Sequence, residues 1–230
     1  MQKRKGNMAY KAVSKGCTKG ERRIKLILEA AEQLLIDNGY NNFSMRKVAA
    51  KAGVSVGNLQ YYFPTKDKLL EAVLDHVIQN YLDTFKLFRG KYTPKEQFIK
   101  IIKTVTKDIK TKFTTVFFPE LWSMANHEKH ISDIMDNMYG KYRAIVADVI
   151  RDINPNLNEC QALRLSIFVT ASLEGHTIFI GYRKPWVKEA ENIIDISIQS
   201  FLWLIEHGDI PANKCEKALN RNTTNEETVL

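Results

Sequence analysis

Between Ser44 and Lys66 the chain carries two short helical runs on either side of Gly53, and no other stretch restricts its fold so tightly. Two short helices can cross closely only if the first presents a small side chain, and Ala49 stands at that position. The turn between them needs a residue at ease with positive φ, and Gly53 follows four residues later. Val48, Ala52, Val54, Leu59 and Tyr62 have the spacing of apolar anchors on the two helices. Ser44 is expected to cap the first helix, which runs to about Ala52. Ser55 is expected to cap the second, which runs toward Phe63 until Pro64 ends it. These independent requirements coincide, and the segment is predicted to form a helix-turn-helix.

The flanking sequence continues the helical period. Ile24, Ile27, Leu28, Ala31, Leu34 and Leu35 line one face of a first helix from Glu21, stopped at Asn38-Gly39. Thr65 opens a long segment whose apolar stripe, from Leu69 to Phe85, predicts a connecting helix over residues 67–88. Thr93-Pro94-Lys95-Glu96 reads as a capping box with Pro at the first helical position, followed by Phe98, Ile101, Ile102, Val105 and Ile109. A shorter helix is expected after Pro119, with Leu121, Trp122 and Met124. Residues from Ile131 to Ile153 predict a long helix closed by Asn154-Pro155. The last two, about 159–181 and 187–207, are apolar on more than one stripe, which predicts burial against a second subunit. With only 11 Gly and 6 Pro and no convincing strand, the chain is expected to be all-α.

Charge divides the chain. Through Lys68 there are 14 basic and 5 acidic side chains, whereas the remaining 162 residues hold 20 and 21, so the net charge of +8 divides into +9 at one end and −1 over the rest. A cationic module on an electrically neutral body predicts a polyanionic partner, either nucleic acid or an acidic membrane surface. Residues 1–19 read as a flexible basic arm and residues 211–230 as a polar tail. Cys17, Cys160 and Cys215 are far apart with no C-x-x-C pair, which predicts a reducing, cytoplasmic setting and no disulfide framework. The apolar stretch from Leu165 to Tyr182 carries Glu174 and His176 near its centre and is expected to be a buried helix, not a membrane span.

The same residues resemble the TetR family of transcriptional regulators. The likeness rests on Asn38-Gly39-Tyr40, Phe43-Ser44, Val48-Ala49, Ala52-Gly53-Val54-Ser55, Gly57, Tyr62-Phe63-Pro64 and Lys66-Asp67-Lys68-Leu69-Leu70. Many relatives carry Tyr where this chain has Gln60, so operator sequence does not transfer from them. The resemblance implies an N-terminal three-helix DNA-binding domain (20–66) and a larger helical ligand-binding and dimerisation domain (67–210). It also implies a homodimer, formed here through the two C-terminal helices.

Candidate DNA-binding residues follow. Val56, Gly57, Asn58, Gln60 and Tyr61 lie on or near the outward face of the second motif helix, with Asn58 and Gln60 the expected base readers in the major groove. Ser44, Arg46, Tyr61, Tyr62 and Lys66 are candidate phosphate contacts. Phe85, Phe118, Trp122, Tyr139, Tyr142 and His176 are candidates for contact with a small-molecule effector of unknown identity. No cofactor and no metal is expected: His127-Glu128-Lys129-His130 has its histidines three apart instead of four. The expected partner is a double-stranded palindromic operator, with no membrane, and the expected role is a repressor released by a small molecule, not an enzyme. Two other classes compete. Gly53 to Gly57 spells the G-x-S-x-G of a serine hydrolase with Ser55 as nucleophile, but that turn needs a preceding strand. A basic helical protein docked on a membrane surface is the other.

Overall fold

The computed structural model describes residues 18–213, so most of the expected basic arm and polar tail lie outside it. Among the described residues there are nine α-helices and no strand, in keeping with the expected all-α class. Helix α1 (Lys19–Asn38), α2 (Met45–Ala52) and α3 (Val56–Tyr62) form the N-terminal body. A long α4 (Lys66–Lys86) leads into α5 (Pro94–Ile109), α6 (Lys112–Ala125), α7 (Lys129–Ile153), α8 (Glu159–Ile180) and α9 (Ala190–His207).

Helix α1 starts earlier than expected, and residues 18 and 19 belong to it and not to an arm. Thr18 and Glu21 form a capping box, each side chain bonded to the other's backbone N–H. The helix ends at Gly39, whose φ of +68° spares the turn a strained Cβ. Ile27, Leu28, Ala31, Leu34 and Leu35 then meet Phe43, Val48, Ala49, Leu59 and Phe63 in one apolar cluster, continuous through α4 with the larger body. Helix α4 buries Leu69, Leu70, Val73 and Leu74 near its start and Val77, Ile78, Leu82 and Phe85 further on.

Helix α6 departs from expectation. It begins at Lys112, and Pro119 lies inside it instead of opening a new helix. An interior proline costs about 3 kcal/mol or more. Phe113, Phe117, Phe118 and Leu121 are all buried along this helix, and each such burial contributes about 1.5–3 kcal/mol. Packing therefore outweighs the missing hydrogen bond. At the other end of the body, Val187–Glu189 forms a single 3-10 turn before α9, where a continuous helix was expected.

The α8 start carries a further correction. Cys160 is disulfide-bonded, against the expectation of no disulfide framework. The segment after α9 folds back there: Gln161 Nε2 donates to the Ile210 carbonyl at 2.8 Å and Arg164 Nη1 to that of Pro211 at 2.6 Å. Helix α8 has the length and composition of a membrane span. In the fold, Leu165, Val169, Leu173 and Ile180 are buried in the core, packed with α7.

Candidate nucleic-acid interface and an internal cavity

Helices α2 and α3 are joined by a turn in which Gly53 is left-handed, at φ 65° and ψ 37°. Its N–H donates to the Ala50 carbonyl at 3.3 Å and that of Val54 to the Ala49 carbonyl at 3.0 Å, closing the helix end. Ala49 is 1% exposed at the crossing, as its small size requires. Ser44 Oγ accepts from the Lys47 N–H at 3.4 Å, and Ser55 Oγ from the Asn58 N–H at 3.1 Å. Ser55 thus caps a helix and follows another helix, which is not the strand-to-helix elbow of a serine nucleophile.

Burial of Leu59 sets the rotation of α3. With 3.6 residues per turn, positions two before and two after Leu59 point away from the core, while its immediate neighbours lie on the flanks. Gly57 and Tyr61 therefore occupy the centre of the outward face, and Tyr61 is 80% exposed. Asn58 and Gln60 are exposed on opposite flanks. A Cβ at Gly57 would meet nothing within 4 Å, so no crowding among the described residues calls for glycine there.

The remaining candidates fall into two groups. Arg46 is exposed on α2, and Ser44 is half-buried at its start. Val56 and Tyr62 are partly buried against the core, Tyr62 with its ring edge-on to Tyr61. Lys66 is also half-buried, its Nζ 3.5 Å from the centre of the Tyr40 ring. Burial holds its ammonium below the usual lysine range, against the pull of Glu128 and Asp67 in the other direction. The cation at the start of α4 therefore rests on an aromatic face, which relieves the misfit with the helix dipole from within.

Between α4, α5, α6, α7 and α8 lies a partly open cavity, with about 520 Å³ of empty space when the open solvent at its mouth is included. It is lined by Val77, Ile78, Tyr81, Phe85, Val105, Ile109, Thr114, Phe118, Met138, Tyr139, Tyr142, Leu173 and Glu174. Four of the six effector candidates, Phe85, Phe118, Tyr139 and Tyr142, meet in this wall. Trp122 stands behind it, its Nε1 donating to the Tyr139 hydroxyl at 3.0 Å. His176 is elsewhere, with Nε2 2.9 Å from Ser197 Oγ between α8 and α9. Tyr81 donates to Asp108 Oδ2 at 2.8 Å, and burial pushes the Asp108 carboxyl up.

Glu174 is the group that the candidate list missed. Burial pushes its carboxyl up to about 7, although the Tyr139 hydroxyl donates a hydrogen bond to it and pulls the other way. Tyr142, 4% exposed, has no hydrogen-bond partner for its hydroxyl among the described residues. A carboxylate in the middle of the apolar stretch from Leu165 to Tyr182 was the available signal. Of the histidines near α7, His130 Nε2 lies 3.4 Å from Asp67 and 3.7 Å from Glu128. Among the described residues no three His, Cys, Asp or Glu gather as a metal site requires.

A helix-turn-helix with a solvent-facing second helix, carried on an all-helical body with an internal cavity, defines the class of helix-turn-helix regulatory proteins. Residues 27–73 match the model of the tetR family of bacterial regulatory proteins. The match covers the helix-turn-helix and its flanking helical segments, 47 of the 230 residues. It is 29% identical over 133 residues to the HTH-type transcriptional regulator PksA of Bacillus subtilis, covering 55% of this chain and 63% of that protein. To RutR of Escherichia coli it is 30% identical over 125 residues, covering 53% and 56%. The matched stretch thus spans less than two thirds of either relative. In fold, 83% of the chain superposes on 97% of Salmonella enterica GusR with a TM-score of 0.66 at 15% identity. A transcriptional regulator from Rhodococcus gives 0.64, at 18% identity, over 82% and 99%.

Proposed function

We propose that this chain is a homodimeric DNA-binding transcriptional regulator, acting as a repressor that a small molecule releases from a palindromic operator. The single observation that carries the DNA-binding part is the outward face of α3. Gly57 offers bare backbone at its centre, Tyr61 projects beside it, and Asn58 and Gln60 flank them. Amide side chains suit adenine edges, and each good bidentate contact is worth about 1–3 kcal/mol of discrimination. Ser44, Arg46, Tyr62 and Lys66 would hold phosphates around that face.

The dimer reading rests on an apolar surface that the monomer leaves bare. Ile167, Phe168, Ile178 and Phe179 on α8 and Ile196 and Trp203 on α9 are all exposed. On α8 these bulky side chains flank Ala171 and Gly175, and a Cβ at Gly175 would meet nothing within 4 Å. Small residues between large ones let two helices approach closely. Two copies joined there would present their α3 helices to half-sites about 34–36 Å apart, or a multiple of it.

Helices α6 and α4 both connect the cavity to the reading head. Thr114 and Phe118 of α6 line the cavity, while Phe117, Glu120, Leu121 and Met124 line a second, smaller pocket together with Leu35, Tyr40 and Leu70 of the N-terminal half. Asp37 of α1 pairs with Lys112 of α6 at 3.2 Å and with Lys51 of α2 at 3.6 Å. These pairs are exposed and worth at most about 1 kcal/mol each, so the packed side chains transmit most of any shift. A ligand that favours one α6 position about 10⁴-fold would switch the population almost fully.

Duplexes selected from a random pool, then titrated by mobility shift across salt, test this reading. Gln60→Ala and Asn58→Ala are expected to relax base preference, and Arg46→Ala to weaken all sequences alike with a shallower salt slope. Failure to select any duplex, or identical behaviour of both groups of variants, would refute it.

A further inference from the structure

We propose that the cavity between α4 and α8 takes a small organic cation, an amine or quaternary ammonium, held by the Glu174 carboxylate and by the faces of Tyr81, Phe85, Tyr139 and Tyr142. The inference deepens the effector-responsive reading above and rests on it for the link to DNA.

The composition of the wall carries the argument. Its lining contains one carboxyl group and no Lys, Arg or His among the described residues. A carboxylate in such surroundings must gain either a proton or a positive partner. The Tyr139 hydroxyl already receives a hydrogen bond from Trp122, so its own proton is free to be donated to Glu174. Trp122, Tyr139 and Glu174 therefore form a relay of donors that ends on the carboxylate and offsets part of the burial that disfavours its charge. An ordinary apolar ligand would leave that charge unanswered. A cation would complete it.

The aromatic residues supply the second half of the site. Tyr81, Phe85 and Tyr142 stand together, with ring centres 6.3 Å apart for the first pair and 5.9 Å for the second. Aromatic faces attract cations, and more strongly where water is excluded. The Tyr142 hydroxyl, buried and without a partner among the described residues, adds a dipole that an ammonium N–H or a polarised methyl group can meet. Asp108 lies one step behind Tyr81 and adds no positive charge to the wall. An anionic effector such as a fatty acid would face Glu174 with like charge, which disfavours that class.

Phenyltrimethylammonium and its neutral isostere tert-butylbenzene have nearly the same shape and differ in charge. Calorimetric titration of the full chain is expected to give at least tenfold tighter binding of the cation. Glu174→Gln is expected to weaken the cation tenfold or more and to change tert-butylbenzene less than twofold, with folding of the variant checked by circular dichroism. Because the two probes are compared first on the unaltered chain, the inference stays open to refutation even if the variant unfolds. Equal affinity for both probes, or no binding of the cation, would overturn it. Release of a selected duplex by the neutral probe alone would overturn the cation assignment and leave the effector-responsive reading standing. Absence of duplex binding at the outset would be the failure of that reading instead.

Discussion

Replacing Glu174 by Gln isolates the electrostatic cost of a carboxyl group in the cavity wall. Its ordinary value is 4.5 and burial pushes it up to about 7. A carboxyl that binds its proton more tightly in the folded state makes the fold most stable below pH 4.5. Stability then falls as the pH rises through the interval, and levels off above about 7. At 1.36 kcal/mol for each pH unit, the interval is worth about 3 kcal/mol as an upper bound. Glutamine keeps an acceptor for the Tyr139 hydroxyl and never ionises. The variant is therefore expected to match the parent near pH 4.5 and to exceed it by up to about 3 kcal/mol at pH 8.5. For a chain of this length each kcal/mol moves Tm by about 2–4 °C, so the difference at pH 8.5 should approach 6–12 °C. Melting curves of both proteins by circular dichroism, at one fixed protein concentration and both pH values, read it directly. Other titrating groups, Asp108 among them, cancel in the comparison. A difference that is the same at both pH values, or a variant less stable at pH 8.5, would refute the reasoning.

Three further outcomes are expected. Gly57→Ala should keep or raise thermal stability, since alanine favours a helix by about 1 kcal/mol over glycine and the new methyl meets no atom of this chain; it should weaken binding of a selected duplex in a mobility shift, and unchanged affinity would remove Gly57 from the interface. Gly175→Leu should leave the secondary structure intact but shift sedimentation equilibrium toward monomer, because the side chain would fill space between two copies; an unaltered dimer constant would move the interface elsewhere. Lys66→Ala should cost about 1 kcal/mol of stability through loss of the Tyr40 contact as well as weakening DNA binding, and a pure salt-slope effect with unchanged Tm would restore it to a phosphate contact alone.

How legible the chain was depended on the range of the interactions involved. The two-helix motif could be read because each of its requirements is local: Ser44 and Ser55 cap within three residues, Gly53 needs only its own φ, and Ala49 and Leu59 follow the helical period. The start of α1 was equally local and was missed only because the Thr18–Glu21 pair lies among polar residues. Helix α6 was misjudged because proline's cost is local and the burial of Phe113, Phe117, Phe118 and Leu121 that outweighs it is not.

The sequence by itself determined the all-helical class, the helix-turn-helix and the cationic end, since periodicity, capping and charge need no partner from afar. Only the tertiary structure decided which residues face one another across helices. It gathered Tyr81 and Phe85 of α4, Tyr139 and Tyr142 of α7 and Glu174 of α8 around one cavity, set Trp122 behind them, and sent His176 to Ser197. It also turned Gly57 and Tyr61 to the centre of the outward face of α3 by burying Leu59. The physical reason is that helix formation is governed within one or two turns of chain, whereas a site is assembled by packing between segments up to a hundred residues apart, which no local pattern encodes.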